Sequence, residues 1–252
     1  MIEIDSISML VDVKADCSVA ELEEQLQAEG YTFNYFPLSG KETLLLDALT
    51  RRLPNLYGEA FGGIEELCLQ GRWSQSDGEL YFNVRSPRSA TGPSLKKMAI
   101  GSENWLGVPV QACFRIFPKP SQREIAALAF PSEAGREAFE KALRRSGARF
   151  PLRARVGGDD VESFVAEVKA EEACLVLSWW GNSTQVEIQR DLLTAAFDSK
   201  KGRRLEQAEE VEEGDYFSWL RAKAAEALQA RIDAALKSLP PSHRDLAAFL
   251  AD

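Results

Sequence analysis

Proton transfer, nucleophilic attack and metal chemistry each need particular side chains brought together, and this sequence offers few of them. His243 is the sole histidine, close to the C-terminus and just after Pro240 and Pro241. One imidazole in a tail leaves Ser-His-Asp catalysis, multi-histidine metal binding and histidine-assisted hydride transfer without their parts, so solvent exposure is expected for it. Cys17, Cys68, Cys113 and Cys174 stand far apart, three of them in apolar strand patterns, and are expected to be buried reduced thiols rather than disulfides or metal ligands. The acidic run 206–215 resembles a carboxylate cluster but has no His or Cys at ligand spacing; a solvated face is expected, and no metal. Lys200, Lys201, Arg203 and Arg204 follow a helix end, where cations complement the helix dipole. No P-loop, G-x-G-x-x-G fingerprint, C-x-x-C pair or G-x-S-x-G elbow occurs, which removes kinase-like, NAD, redox-disulfide and hydrolase chemistry.

Two aromatic positions remain. Trp179 and Trp180 end the most apolar strand pattern, and neighbouring strand residues point to opposite faces. One ring is therefore expected in the core and the other outward, where it could stack on a ligand, line a subunit contact or pack at an edge. Arg221, in Trp219-Leu220-Arg221, is a weak carboxylate-binding candidate; beside a Trp on a helix it more often makes a surface contact.

The elements that would position any chemistry centre on residues 92–120. Residues 94–98 predict a short amphipathic helix, Gly101 its stop, and Gly107 a close backbone approach before a strand. In that strand Val108, Val110, Ala112, Phe114 and Ile116 alternate with Pro109, Gln111, Cys113, Arg115 and Phe117, the period of a half-buried strand. The run Ile100-Gly101-Ser102-Glu103-Asn104-Trp105-Leu106-Gly107-Val108, with Arg115-Ile116-Phe117-Pro118-Lys119-Pro120 after it, resembles the end of the flavin domain of FAD-linked oxidases. That is the vanillyl-alcohol oxidase, or PCMH-type, group, whose usual text is close to G-S-E-G-T-L-G-V-I-T and then R-x-x-P-x-P. Asn104 stands where one glycine is usual.

Upstream the resemblance continues in order. Residues 7–14 predict a strand. Ser18 and Glu21 form a capping box for a helix through Ala28, with Val19, Leu22 and Leu26 on one face and Gly30 as terminator, and residues 31–36 predict a short strand. The family's pyrophosphate-cradling loop would fall some dozens of residues before Ile7 and is expected to be missing. Thr43 matches the threonine of a Thr-x-Gly-Gly turn, while Leu45 and Leu46 replace its glycines. Residues 43–53 instead predict an amphipathic helix with Leu45, Leu46, Leu49 and Leu53 toward a core, ended by Pro54. Tyr57-Gly58 matches a family Y-G. Residues 62–71 predict a strand ending in a glycine turn, and residues 79–85 its hairpin partner, with Leu80, Phe82 and Val84 on one face.

Beyond Pro120 strands at 124–130, 150–156, 173–180 and 204–211 alternate with helices at 132–147, 161–170 and from Gly181 onward, the plan of a ferredoxin-like α+β layer. Helices are expected at 222–236 and 242–250, the second with an apolar edge of Leu246, Phe249 and Leu250. The expected fold is thus α+β: a PCMH-type FAD-binding-like domain over 1–120, then a ferredoxin-like cap over 121–252. With 252 residues, 45% hydrophobic and 27% charged, the chain is long enough for a sizeable core. A net charge of −9 argues against nucleic acid or an anionic membrane as partner. Without a leader pattern or an apolar run of about 18 residues, the expected location is the cytoplasm.

The resemblance implies a degenerate relative of the accessory flavoprotein-like subunit of bacterial glycolate oxidase, with FAD as the family cofactor and a small 2-hydroxy acid as the family substrate. Gly101, Ser102, Glu103, Gly107 and Val108, and more weakly Thr43, Tyr57 and Gly58, match positions along that cofactor. A non-catalytic partner of a catalytic flavoprotein subunit is the expected role, or a self-associating chain. The alternatives are a working FAD oxidoreductase for a small 2-hydroxy acid and a stand-alone small-ligand binding module.

Overall fold

The chain enters as a hairpin, not as the single strand expected over residues 7–14. Strands β1 (Ile2–Asp5) and β2 (Leu10–Lys14) pair antiparallel, Ile2 opposite Val13. The Asp5 carboxylate accepts the amides of Ile7 and Ser8 at 3.1 and 3.0 Å, so it reverses the chain and leaves Ile7 95% exposed at the tip. The structure, a computed structural model, describes residues 2–37, 39–40, 42–83, 85, 94–157, 172–197 and 201–205. These lie in the compact unit Met1–Glu210; the second unit, Val211–Asp252, lies outside them.

Helix α1 (Val19–Ala28) carries the expected reciprocal cap between Ser18 and Glu21 and buries Val19, Leu22 and Leu26. Gly30 follows with φ +82°. The strand expected over 31–36 shrinks to β3 (Tyr31–Thr32), which pairs with β7 (Phe117–Pro118). Side chains take the next amides: Glu23 accepts that of Phe33 at 2.8 Å and Asn55 that of Phe36 at 2.9 Å, which satisfies the backbone without a ladder.

Helix α2 (Leu45–Arg51) buries Leu45 and Leu49 at 0% and 1% exposure, and Arg52 closes it in the left-handed conformation. Two short turns of helix follow, α3 (Gly58–Phe61) and α4 (Ile64–Leu67), and then β4 (Cys68–Ser74), β5 (Leu80–Phe82), α5 (Leu95–Ala99) and β6 (Val108–Arg115). The strand expected over 62–71 is thus a helical turn plus the start of β4. Gly71 lies inside β4, where a Cβ would sit 2.1 Å from the Trp73 ring; the missing side chain makes room for that indole.

The first sheet has the order β1-β2-β6-β4-β5. Ala112, Phe114 and Ile116 are buried as the alternation predicts. The β4–β6 register slips between Arg72 and Trp73, so Trp73 faces Pro109. The slip inverts the pattern, and Val108 and Val110 are each 39% exposed. Leu80 and Phe82 do share a face, but it is the exposed one; Tyr81 between them stacks on Trp73 at 5.4 Å. Val84 lies outside the described residues.

The second sheet is built from β8 (Gln122–Phe130), α6 (Glu133–Arg145), β9 (Leu152–Gly157), β10 (Ala173–Gly181), α7 (Ser183–Ala196) and β11 (Arg203–Leu205). Its order, β11-β8-β10-β9 with every pairing antiparallel, places the four strands as fourth, first, third and second. This is the split βαβ arrangement of a ferredoxin-like layer. Phe139 and Leu143 of α6 and Val186 and Leu193 of α7 cover Leu128, Phe130, Leu175, Leu177 and Trp179. The α+β expectation holds. The expected helices at 161–170, 222–236 and 242–250, the strand beyond Leu205, the acidic run, Arg221 and His243 lie outside the described residues.

Candidate functional site

Residues 101–107 form a tight turn between α5 and β6 that rests on the end of α2. Gly101, Glu103, Asn104 and Gly107 all have positive φ, +84°, +50°, +68° and +108°. Such a chain path is held only where neighbours fix it. Gly101 N–H donates to Leu49 C=O at 2.9 Å and Glu103 N–H to Thr50 C=O at 3.1 Å. Within the turn Ser102 N–H donates to Ala99 C=O, Trp105 N–H to Ser102 C=O and Gly107 N–H to Asn104 C=O, at 3.0 to 3.1 Å. The Tyr81 hydroxyl donates to the Leu106 carbonyl. Both glycine expectations hold in their backbone sense. A Cβ on Gly107 would lie 2.9 Å from the Ser74 carbonyl oxygen, and one on Gly101 3.0 Å from Arg52 Cβ.

Beside this turn lies an open groove of about 890 Å³. The β4–β5 hairpin contributes Ser74, Gln75, Ser76 and Tyr81; α5 contributes Leu95 and Met98; the turn and β6 contribute residues 104–108 and Val110. None of these side chains is charged. Trp105, at the rim, is 89% exposed, and Leu95, Met98, Leu106, Val108 and Val110 are between 39% and 53% exposed. Burial pushes the Tyr81 phenol above its ordinary range, which keeps it protonated. The groove can receive an apolar or planar surface, and its described lining offers hydroxyl and amide groups but no carboxylate, imidazole, thiol or cation.

The eight sequence-matched positions separate in space. Val108 and Gly107 line the groove, while Gly101, Ser102 and Glu103 build the turn behind it. The buried Ser102 hydroxyl has no hydrogen-bond partner among the described residues. Thr43 closes the entry to α1: its carbonyl accepts the Val19 amide at 2.9 Å and its hydroxyl meets that of Ser39 at 2.6 Å. Gly58 starts α3. Tyr57 is buried against the second sheet, edge-on to Trp180 at 4.9 Å, its phenol pushed up to about 12 mainly by burial.

Trp179 and Trp180 divide as expected. Trp179 is 1% exposed and donates its indole N–H to the Val186 carbonyl at 3.2 Å. Trp180 packs with Phe61 at 6.1 Å and under the Arg123 guanidinium at 4.2 Å. Burial holds Arg123 below its ordinary range, while Tyr57 opposes the shift. Trp180 thus packs the second sheet against α3 and Tyr57.

Tyr81, Leu95, Met98 and the hairpin residues Ser74, Gln75 and Ser76 were not foreseen at the site. Leu95 and Met98 carried a signal, three apart on a short helix; the hairpin residues reach the groove only through the β4–β6 pairing.

The four cysteines are unpaired, with Cys68, Cys113 and Cys174 buried. Among the described residues no cluster suited to a metal occurs, and no helix is long and apolar enough to cross a membrane.

No protein-family model matches the chain. It is 28% identical over 144 residues to the alkyldihydroxyacetonephosphate synthase of Caenorhabditis elegans, a match covering 56% of this chain and 24% of that protein. Two solved structures of an alkyldihydroxyacetonephosphate synthase align with TM-scores of 0.69 and 0.70 at 18% and 17% identity. Each covers 81% of this chain and 40% of the solved one. The chain therefore spans about a quarter of the curated relative's length. At these identities the structures show the fold, that of FAD-linked oxidase domains.

Proposed function

We propose that this chain is a non-catalytic, accessory component of an FAD-linked oxidase-type assembly that oxidises a small 2-hydroxy acid, resembling in role a glycolate oxidase subunit. A catalytic flavoprotein partner carries the chemistry. One observation supports this above the others: the described lining of the groove beside the turn at 101–107 is mostly apolar and carries no charged side chain. Oxidising a hydroxy acid requires a base for the hydroxyl proton and a cation for the carboxylate. The described lining supplies neither.

The same residues test the fit of FAD, whose chemistry in the family is to accept the hydride. A diphosphate needs free backbone N–H groups or cations. Five amides of residues 101–107 are already bonded within the protein, and the glycines serve its own close packing. Gly107 and Val108 fit a flat wall of the groove, Gly101, Ser102 and Glu103 stand behind it, and together they do not make a diphosphate cradle. Thr43, Tyr57 and Gly58 are engaged elsewhere. Leu45, at a family glycine position, is a core residue at 0% exposure. The four unpaired thiols accord with the reducing cytoplasm as its location.

The test is the visible spectrum of the purified chain, before and after incubation with FAD and removal of the excess. A colourless protein that retains no flavin is expected. A stable flavin spectrum at one equivalent would replace this reading with that of a working FAD oxidoreductase.

A further inference from the structure

We propose that the outer face of the first sheet binds a small amino acid as its zwitterion, the ammonium held by Glu3 and Asp12 and the carboxylate by Arg72. On the side of that sheet away from its apolar core lies a polar hollow of about 180 Å³. Sites for drug-sized ligands begin at about 300 Å³, so this one is too small for a flavin and suits a metabolite of a few heavy atoms. Strand register builds it. Glu3 stands opposite Asp12, Asp12 opposite Cys113 and Cys113 opposite Gln70, with Gln111 and Arg72 opposed in the next row.

The charges around the hollow are unevenly met. Glu3 and Asp12 face each other directly across β1 and β2, which destabilises the pair unless a cation lies between them. The Arg85 guanidinium pairs with Asp12, while the Glu3 carboxylate has no partner among the described residues. At the far end Arg72 has the Phe82 ring 6.0 Å from its guanidinium and no counter-charge among the described residues. A ligand with an ammonium at one end and a carboxylate at the other meets both needs through charge-assisted hydrogen bonds. An anion alone would face the two acids, and a cation alone would leave Arg72 unmatched. β1 and β4 stand three strand spacings apart, about 14 Å. The Glu3 and Arg72 side chains both line the hollow, which leaves between their tips the charge separation of a small amino acid. The wall is set beforehand, since Asn83 accepts the Gly71 amide at 2.8 Å and donates to the Leu69 carbonyl at 2.9 Å, so little ordering entropy opposes binding. Burial keeps the Cys113 thiol protonated, so the hollow binds its ligand without reacting with it.

The proposal goes beyond the accessory reading and stands apart from it, because the hollow shares no lining residue with the groove. The experiment is isothermal titration calorimetry and thermal melting of the full chain with L-alanine and 4-aminobutyrate, which bracket the charge separation, and with butyrate and butylammonium, which each keep one charge. At least one of the amino acids should bind with one-to-one stoichiometry and raise the melting temperature, and neither single-charge analogue should match it. Glu3→Gln and Arg72→Gln should each weaken binding by about tenfold or more, the worth of a hydrogen bond to a charged group. Without ligand Glu3→Gln should melt no lower than wild type, because it removes one of two opposed carboxylates. No binding by either amino acid, equal binding by a single-charge analogue, or an affinity that either substitution leaves unchanged overturns the proposal. So does an unliganded Glu3→Gln that melts below wild type, since Glu3 is then already paired within the protein.

Discussion

The Thr50 hydroxyl donates to Asn104 Oδ1 at 3.1 Å, joining the end of α2 to a turn 54 positions later. Thr50 is 8% exposed, and Asn104 is held at φ +68°, a conformation that asparagine tolerates better than most residues. Asn104 is thus suited both to the conformation and to the bond. Asn104→Ala should cost about 1–2 kcal/mol, from the lost hydrogen bond and the left-handed backbone together. Asn104→Gly loses the bond but relieves the backbone, and should fall closer to wild type. Urea unfolding of both variants checks the order; equal losses would mean that the backbone conformation contributes nothing.

Gly107 and Gly30 separate two reasons for a glycine. Both have positive φ, +108° and +82°. A Cβ at Gly107 would meet the Ser74 carbonyl oxygen at 2.9 Å, whereas nothing lies within 4 Å of one at Gly30. Gly30→Ala should cost about 1 kcal/mol for the conformation alone, and Gly107→Ala about 2 kcal/mol or more, because β4 must also move. Thermal melts of the two variants decide it.

The thiols should be almost silent in the folded protein. Burial pushes Cys17, Cys113 and Cys174 up to about 11 and Cys68 up to about 12, with Glu21 adding to the effect at Cys17 and Asp12 at Cys113. Thiolate is the reactive form, so little is present at neutral pH. A thiol-disulfide reagent should label the half-buried Cys17 slowly and all four cysteines only after unfolding. Rapid native labelling at Cys68 or Cys174 would contradict their placement.

What was legible in the sequence was what neighbours along the chain decide. The Ser18–Glu21 box marks α1, because both partners of the cap lie within one turn. The apolar run of β10, broken only by Ser178, marks a strand with both faces covered: residues 173–179 are all buried. The groove was not legible, because it depends on a slip in cross-strand pairing. Alternation puts Val108 and Val110 on the same face as Ala112, and only the Trp73–Pro109 register turns them outward. The Asp5 turn was hidden for a similar reason. Ile7 and Met9 have the apolar character of a strand, and two hydrogen bonds to one carboxylate override it. At the turn itself the glycines were readable as backbone positions, while their partners, Arg52 and Ser74, were not.

Glu140 should give the layer around the second sheet part of its acid sensitivity. On α6 it is 5% exposed and sits between Arg136, itself 3% exposed, and Arg155, whose Nη2 donates to it at 2.8 Å. Burial raises the Glu140 carboxyl, but the hydrogen bond and charge of Arg155 and the charge of Arg136 outweigh it and hold the group below its ordinary 4.5. A carboxyl lowered on folding stabilises the native state above its unfolded value, and that stabilisation is lost as pH falls through the folded one. Glu140→Gln should therefore be destabilised at neutral pH by roughly 3 kcal/mol, since among the described residues it leaves the buried Arg136 guanidinium with only the exposed Glu133 as counter-charge. Its deficit should shrink as pH drops below 4.5, where wild type loses the same interaction. Arg155→Ala should cost no more than about 1 kcal/mol, because that side chain is 59% exposed and screened by solvent. Urea unfolding of the three proteins across the acid range checks this, and a Glu140→Gln deficit that stays constant down to low pH would rule the account out.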